Sequence, residues 1–127
     1  MKNNIKTTDF SLTPAISDYL DKKIIHLDKF VSPEHKEKLM CYIELGKPTN
    51  HHKTGDIFKA EFTIHIGGKV FRATSETDDL YSAIDTVNDE MAEELRTFNS
   101  KETSLIKRSG AKFKSFLRKF YENGGQD

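Results

Sequence analysis

The side chains best suited to chemistry in this 127-residue sequence are one cysteine, five histidines and several neighbouring carboxylates. Cys41 stands in the alternating stretch Leu39, Cys41, Ile43, Leu45, on the side a strand turns to its core, where a thiol behaves as a small apolar residue. One cysteine forms no internal disulfide and offers zinc no second sulfur, which fits a reducing, cytoplasmic setting. His51 and His52 are adjacent in a polar stretch and His65 lies further on, without the spacing of a zinc motif, so neither metal nor cofactor is expected. Asp78-Asp79 and Glu93-Glu94 are too close in sequence to flank a substrate as acid and base; they read as a helix cap and a solvated face. The chain is therefore not expected to be an enzyme.

Cationic side chains offer a different chemistry, the binding of phosphates. Twenty Lys and Arg balance twenty Asp and Glu, yet the charges are segregated. Residues 1–99 carry 13 basic and 17 acidic side chains, residues 100–127 seven basic and three acidic. In the tail Lys101, Lys107, Arg108, Lys112, Lys114, Arg118 and Lys119 interleave with Leu105, Ile106, Phe113, Phe116, Leu117, Phe120 and Tyr121. That mixture suits a segment that neutralises nucleic-acid phosphates; docking on its own domain, dimerisation and an anionic membrane are the competing readings. Elsewhere Lys22, His26 and Lys29 recur at i, i+4 and i+7, Lys23 adjoins them, and Lys47, His51, His52 and Lys53 share one loop without the pattern of a phosphate-cradling glycine loop. Between Glu76 and Glu94 there are eight acids and no base, either a solvated face or a surface for a basic partner.

The elements that position these residues follow from periodicity. With 35% apolar and 31% charged residues, apolar runs of only a few residues, and an N-terminus reading MKNNIKTTDF, one compact soluble domain without membrane contact is expected. Residues 3–8 suit a first strand. Thr13-Pro14 predicts a helix start, and Ile16, Tyr19, Leu20, Ile24, Leu27 and Phe30 form one apolar stripe over 14–30. Ser32-Pro33-Glu34 breaks that helix, alternation over 39–45 predicts a second strand, 46–55 a loop, and Phe58 to Ile66 a third strand. Gly67-Gly68 predicts a tight hairpin, pairing Ile64 with Phe71 and Phe62 with Ala73 on the core face, and His65 with Val70 and Thr63 with Arg72 on the other. Thr77 or Asp78 caps a second helix carrying Leu80, Ile84, Val87, Met91, Leu95 and Phe98 and ending near 98; a separate basic amphipathic segment follows over 104–121, interrupted by Gly110. The expected fold is α+β, in the order β-α-β-β-β-α, a four-stranded sheet with two helices packed on one face plus a C-terminal basic extension, divided as 1–101 and 102–127.

Two stretches carry a resemblance to a known family. Leu12-Thr13-Pro14-Ala15 leading to Tyr19-Leu20, Lys23 and Leu27-Asp28-Lys29-Phe30, and Asp79-Leu80-Tyr81-Ser82-Ala83-Ile84-Asp85, are similar to the ribosome hibernation-promoting factors, also called ribosome-associated inhibitor A proteins, over about residues 3–101. The resemblance implies a double-stranded-RNA-binding-like fold and a non-enzymatic factor. Such a factor sits on the small ribosomal subunit and its rRNA, in the channel for messenger and transfer RNA, blocks translation and preserves idle ribosomes. Lys22, Lys23, His26 and Lys29 would present charge to rRNA phosphates, Lys23 matching the family's first-helix lysine and His26 standing where lysine or arginine is frequent. Family members carry several bases in the latter half of the second helix, where this sequence has Glu90, Glu93 and Glu94 and keeps Arg96 and Lys101; the basic tail is the candidate for compensation. Longer members add a dimerising domain, so this chain is expected to be of the short type, a monomer off the ribosome, for which ribosome pairing would need another protein. The family has also been named for modulating a sigma factor, which supports an alternative: an interaction module whose acidic second helix binds a basic transcription or ribosomal protein.

Overall fold

The computed structural model describes the backbone of residues 1–48 and 55–122 and the side chains of 1–48 and 55–104. Its elements are β1 (Lys2–Thr8), α1 (Pro14–Asp28), a one-turn α2 (Pro33–Lys36), β2 (Met40–Gly46), β3 (Phe58–Ile66), β4 (Lys69–Thr77) and α3 (Leu80–Glu122). The strands form one sheet in the order β1-β2-β3-β4, with β1 parallel to β2 and the other pairs antiparallel. A parallel neighbour cannot be reached by a tight turn, so the chain crosses over through α1 between β1 and β2.

Local chemistry accounts for most boundaries. The Thr13 hydroxyl accepts from the Ile16 amide at 3.2 Å, and Pro14 takes the first helical position, where no amide hydrogen is needed. α1 closes two residues before the expected 30, because Phe30 and Val31 donate to the carbonyls of Leu27 and Asp28, tightening the end into i→i+3 turns. Pro33 breaks the helix as expected and also opens α2, which the sequence reading missed. Gly67 and Gly68 both take positive φ, 54° and 80°, and the expected register of Ile64 with Phe71, Phe62 with Ala73, His65 with Val70 and Thr63 with Arg72 is present.

The second long helix departs from expectation at both ends. Its cap is Asp79, not Thr77 or Asp78: the Asp79 carboxylate accepts from the Ser82 amide at 3.2 Å, while the Thr77 hydroxyl is occupied by the Asp79 amide at 3.0 Å. The backbone does not stop near 98 but continues as one 43-residue helix to Glu122. No proline intervenes, and a single glycine such as Gly110 costs a helix only about 1 kcal/mol relative to alanine, less than the good helix formers around it supply. By internal contacts the chain forms two compact units, Met1–Arg96 and Thr97–Asp127, and α3 spans the division. No helix among the described residues is long and apolar enough to cross a membrane.

The core of the first unit lies on one face of the sheet. Cys41, Ile43 and Leu45 of β2 and Ala60, Phe62, Ile64 and Ile66 of β3 are buried, as are Ile16, Leu20, Ile24 and Leu27 of α1 and Leu80, Ile84, Val87, Met91 and Leu95 of α3. The opposite face is open: Lys2, Asn4, Lys6, Tyr42, Glu44, His65, Arg72 and Thr74 are exposed. Cys41 is wholly buried, and burial pushes its thiol up to about 12, so almost no thiolate exists at neutral pH. A thiol-specific alkylating reagent is expected to leave the native protein unlabelled and to modify it in urea; labelling at the same rate in both conditions would contradict this packing.

Candidate nucleic-acid interface

The two stretches that carry the family resemblance meet across the seam between α1 and α3. Tyr19 donates a short hydrogen bond to the Asp85 carboxylate, and the Lys23 ammonium lies 2.9 Å from the same oxygen. Tyr81 meets Tyr19 edge to face at 4.9 Å between ring centroids, and Lys23 sits 4.9 Å from the Tyr19 centroid. One turn on, an Asn88 amide N–H meets His26 Nδ1 at 3.1 Å, and His26 packs edge-on against Phe30 at 5.2 Å. The Arg96 guanidinium, held 2.8 Å from Glu93, closes the seam over the Phe30 ring at 5.7 Å. Partner numbers rise together, 19 with 81, 23 with 85, 26 with 88 and 30 with 96, so the helices run in the same direction.

Electrostatics tie the Asp85 cluster together. Burial pushes the Asp85 carboxyl up, but the hydrogen bonds from Tyr19 and Lys23 and the lysine's charge outweigh it and hold the carboxyl below its ordinary value. The hydrogen bond to Asp85 raises Lys23 against the opposing effect of burial, and the same carboxylate raises Tyr19. A carboxylate with a depressed folded pKa stabilises the fold fully above its unfolded value of about 3.9 and loses that contribution as pH falls through the lower folded value. The stability difference between wild type and Asp85→Asn is therefore expected to be constant from neutral pH to about 5 and to shrink in stronger acid. A difference that stays constant into strong acid would contradict the clamp.

The expected phosphate-binding residues fall on different surfaces. Lys22 on α1 and Lys29 just past its end are exposed, and their ammonium groups make no ion pair among the described residues. Lys23, His26 and Arg96 belong to the seam, each engaged as above. Lys47 lies at the end of β2, 3.1 Å from Asp56, beside a cavity of about 260 Å³ whose wall includes Lys59 but also Asp9 and Glu44. Two carboxylates against two ammonium groups leave that cavity without a net field for an anion. Arg72 is on the open sheet face, its Nε 3.5 Å from Glu61 and 3.4 Å from the Thr63 hydroxyl. Lys101 is exposed on α3. His51, His52 and Lys53 lie outside the described residues, and the side chains of Lys107, Arg108, Lys112, Lys114, Arg118 and Lys119 lie outside the described side chains.

Sequence reasoning missed Tyr19, Asp85 and Asn88 as members of the seam, although spacing held the signal. Tyr19 and Lys23, like Tyr81 and Asp85, are one turn apart and share a helix face. The expected acidic face is present: Asp89, Glu90, Glu93 and Glu94 are exposed on the first part of α3. Its charge opposes phosphate, whereas α1 has a basic edge with Lys22 beside an acidic edge with Asp21 and Asp28.

A mixed four-stranded sheet with two parallel helices on one face defines the class as an α+β domain with one open sheet face. The sequence matches the model of the sigma 54 modulation protein / S30EA ribosomal protein family over residues 3–103, and the chain belongs to that family. It is 29% identical over 102 residues to the ribosome hibernation promotion factor of Picosynechococcus, covering 80% of this chain and 50% of that protein. It is 26% identical over 110 residues to the ribosome hibernation promoting factor of Azotobacter vinelandii, covering 87% and 92%. The chain thus spans about half the length of the Picosynechococcus protein and nearly all of the Azotobacter one. Among solved structures, the Thermus thermophilus Protein Y N-terminal domain superposes with a TM-score of 0.63 at 27% identity, over 77% of this chain and 99% of that one. A ribosomal subunit interface protein from Coxiella burnetii shares the fold, with a TM-score of 0.51 at 21% identity over 82% and 99%.

Proposed function

We propose that this protein is a ribosome hibernation factor that binds the rRNA of the small ribosomal subunit in the channel for messenger and transfer RNA. The observation that carries the reading is the family match over residues 3–103, which takes in the sheet, α1 and the seam. Its relatives are named for ribosome hibernation. Occupancy is the mechanism: a compact body in the channel excludes messenger, preserves the idle subunit and needs no catalytic group. The factor acts in the cytoplasm, as a monomer off the ribosome.

Lys22 on α1 and Lys29 just past its end are two cations free to meet phosphate, and Asp85 holds Lys23 beside Lys22 over the Tyr19 ring. Contacts of this kind read backbone shape rather than base sequence. Because the first part of α3 is acidic, the missing positive charge is supplied by Lys101 and the basic residues after it. The protein added to a purified translation system is expected to lower synthesis from a messenger in proportion to its occupancy of small subunits, and excess messenger added first is expected to protect. Synthesis unaffected at saturating protein would overturn the reading.

A further inference from the structure

We propose that the open face of the sheet is a second RNA surface, which takes an unpaired base of a single strand on Tyr42 and His65. Register sorts the outward side chains of this face into four rows. Lys6, Glu44, Glu61 and Thr74 form one row, and Thr8, Gly46, Lys59 and Glu76 the next. Asn4, Tyr42, Thr63 and Arg72 form the third, and the pairs Lys2 with Met40 and His65 with Val70 make up the end of the sheet beyond it. All three outward carboxylates fall in the first two rows. The Tyr42 end has Lys2, Arg72 and His65 and no acid.

That end is also where apolar surface is left uncovered. Tyr42 is 45% exposed and Val70 54%, although both lie in regular strands. Tyr42 and His65 pair edge to face at 6.1 Å, a geometry that leaves each ring at least one face outside the pair. They stand on β2 and β3, the two central strands. An uncovered four-stranded sheet with aromatics on its surface is a chemistry that stacks splayed RNA bases, and every base has a π-face to offer. Arg72 engages Glu61 and Thr63 through Nε, leaving the terminal amino groups of its guanidinium for a phosphate on one side, with Lys2 on the other. A neutral aromatic centre with Lys2 and Arg72 at its sides, its nearest carboxylates Glu44 and the Arg72-paired Glu61 confined to the adjoining row, fits a nucleic-acid strand better than an acidic or purely apolar protein partner.

This surface lies on the sheet face opposite α1, and rests on the reading above only in taking RNA as the partner. The test is fluorescence anisotropy of the full chain with a labelled single-stranded oligoadenylate of about eight nucleotides, within the site sizes of stacking surfaces. Tyr42→Ala is expected to weaken binding by about 5- to 150-fold, and Tyr42→Phe to retain it, since the ring and not the hydroxyl stacks. Resistance of Cys41 to alkylation reports that each variant is folded. Wild-type affinity in Tyr42→Ala, loss of binding in Tyr42→Phe equal to that in the alanine variant, or failure of the wild-type chain to bind would each overturn the inference. A chain that binds through Tyr42 but does not sediment with small subunits supports this surface and overturns the hibernation reading. One that sediments while Tyr42→Ala leaves oligoadenylate binding unchanged does the reverse.

Discussion

Replacing Lys101, Lys107, Arg108, Lys112, Lys114, Arg118 and Lys119 together by Gln in the full chain is expected to flatten the salt dependence of small-subunit binding by about 5 to 6 in the slope of log affinity against log salt. Each phosphate neutralised releases condensed counterions and contributes about 0.7 to 0.9 to that slope, so seven contacts account for the whole change. The wild-type chain should correspondingly lose about a thousandfold in affinity between 50 and 200 mM salt, and the variant far less. The acidic stretch gives this prediction its size: with Asp89, Glu90, Glu93 and Glu94 exposed on α3, the first unit carries 17 acidic against 13 basic side chains and offers phosphate no net positive charge. A variant with the wild-type slope would place the tail away from RNA.

Phe62→Ala is expected to destabilise the protein by about 3 to 5 kcal/mol, a large share of the roughly 5 to 15 kcal/mol that holds a typical domain folded. Phe62 is fully buried, on β3 between Ile43 of β2 and Ala73 of β4 in the register. Among the described residues it is the largest of the completely buried side chains, on the sheet face that also buries the stripes of α1 and α3. Truncation removes its transfer free energy and leaves a cavity that central strands cannot collapse to fill. A drop in the urea midpoint with little change in the slope of the transition would report it. An unchanged midpoint would mean that this face of the sheet is not the core.

Elements set by short-range chemistry were legible in the sequence. Gly67-Gly68 fixed the hairpin because few other residues accept positive φ at both central positions, and once the turn was placed, alternation assigned every face of β3 and β4. The start of the second long helix was ambiguous because Thr77, Asp78 and Asp79 are all good caps, and only the structure shows Thr77 spent on a local turn. Its end was misplaced because 99–104 holds no strong breaker and one glycine is a weak one. At the interface, residue type was legible and pairing was not. Lys23 reads as a free cation until Asp85, 62 positions later, arrives on the adjacent helix, and nothing in either local pattern announces the partner. Arg72 could be placed opposite the core by alternation alone, yet its separation from Lys22 and Lys29 becomes visible only when both helices cover the other face of the sheet.

Occupancy of the messenger channel is separated from binding elsewhere on the small subunit by co-sedimentation of the full chain with purified small subunits across a salt series, with and without messenger. A chain in the channel binds near one per subunit, weakens steeply with salt, and excludes messenger as messenger excludes it. Sedimentation that ignores messenger, or no sedimentation at low salt, would contradict it.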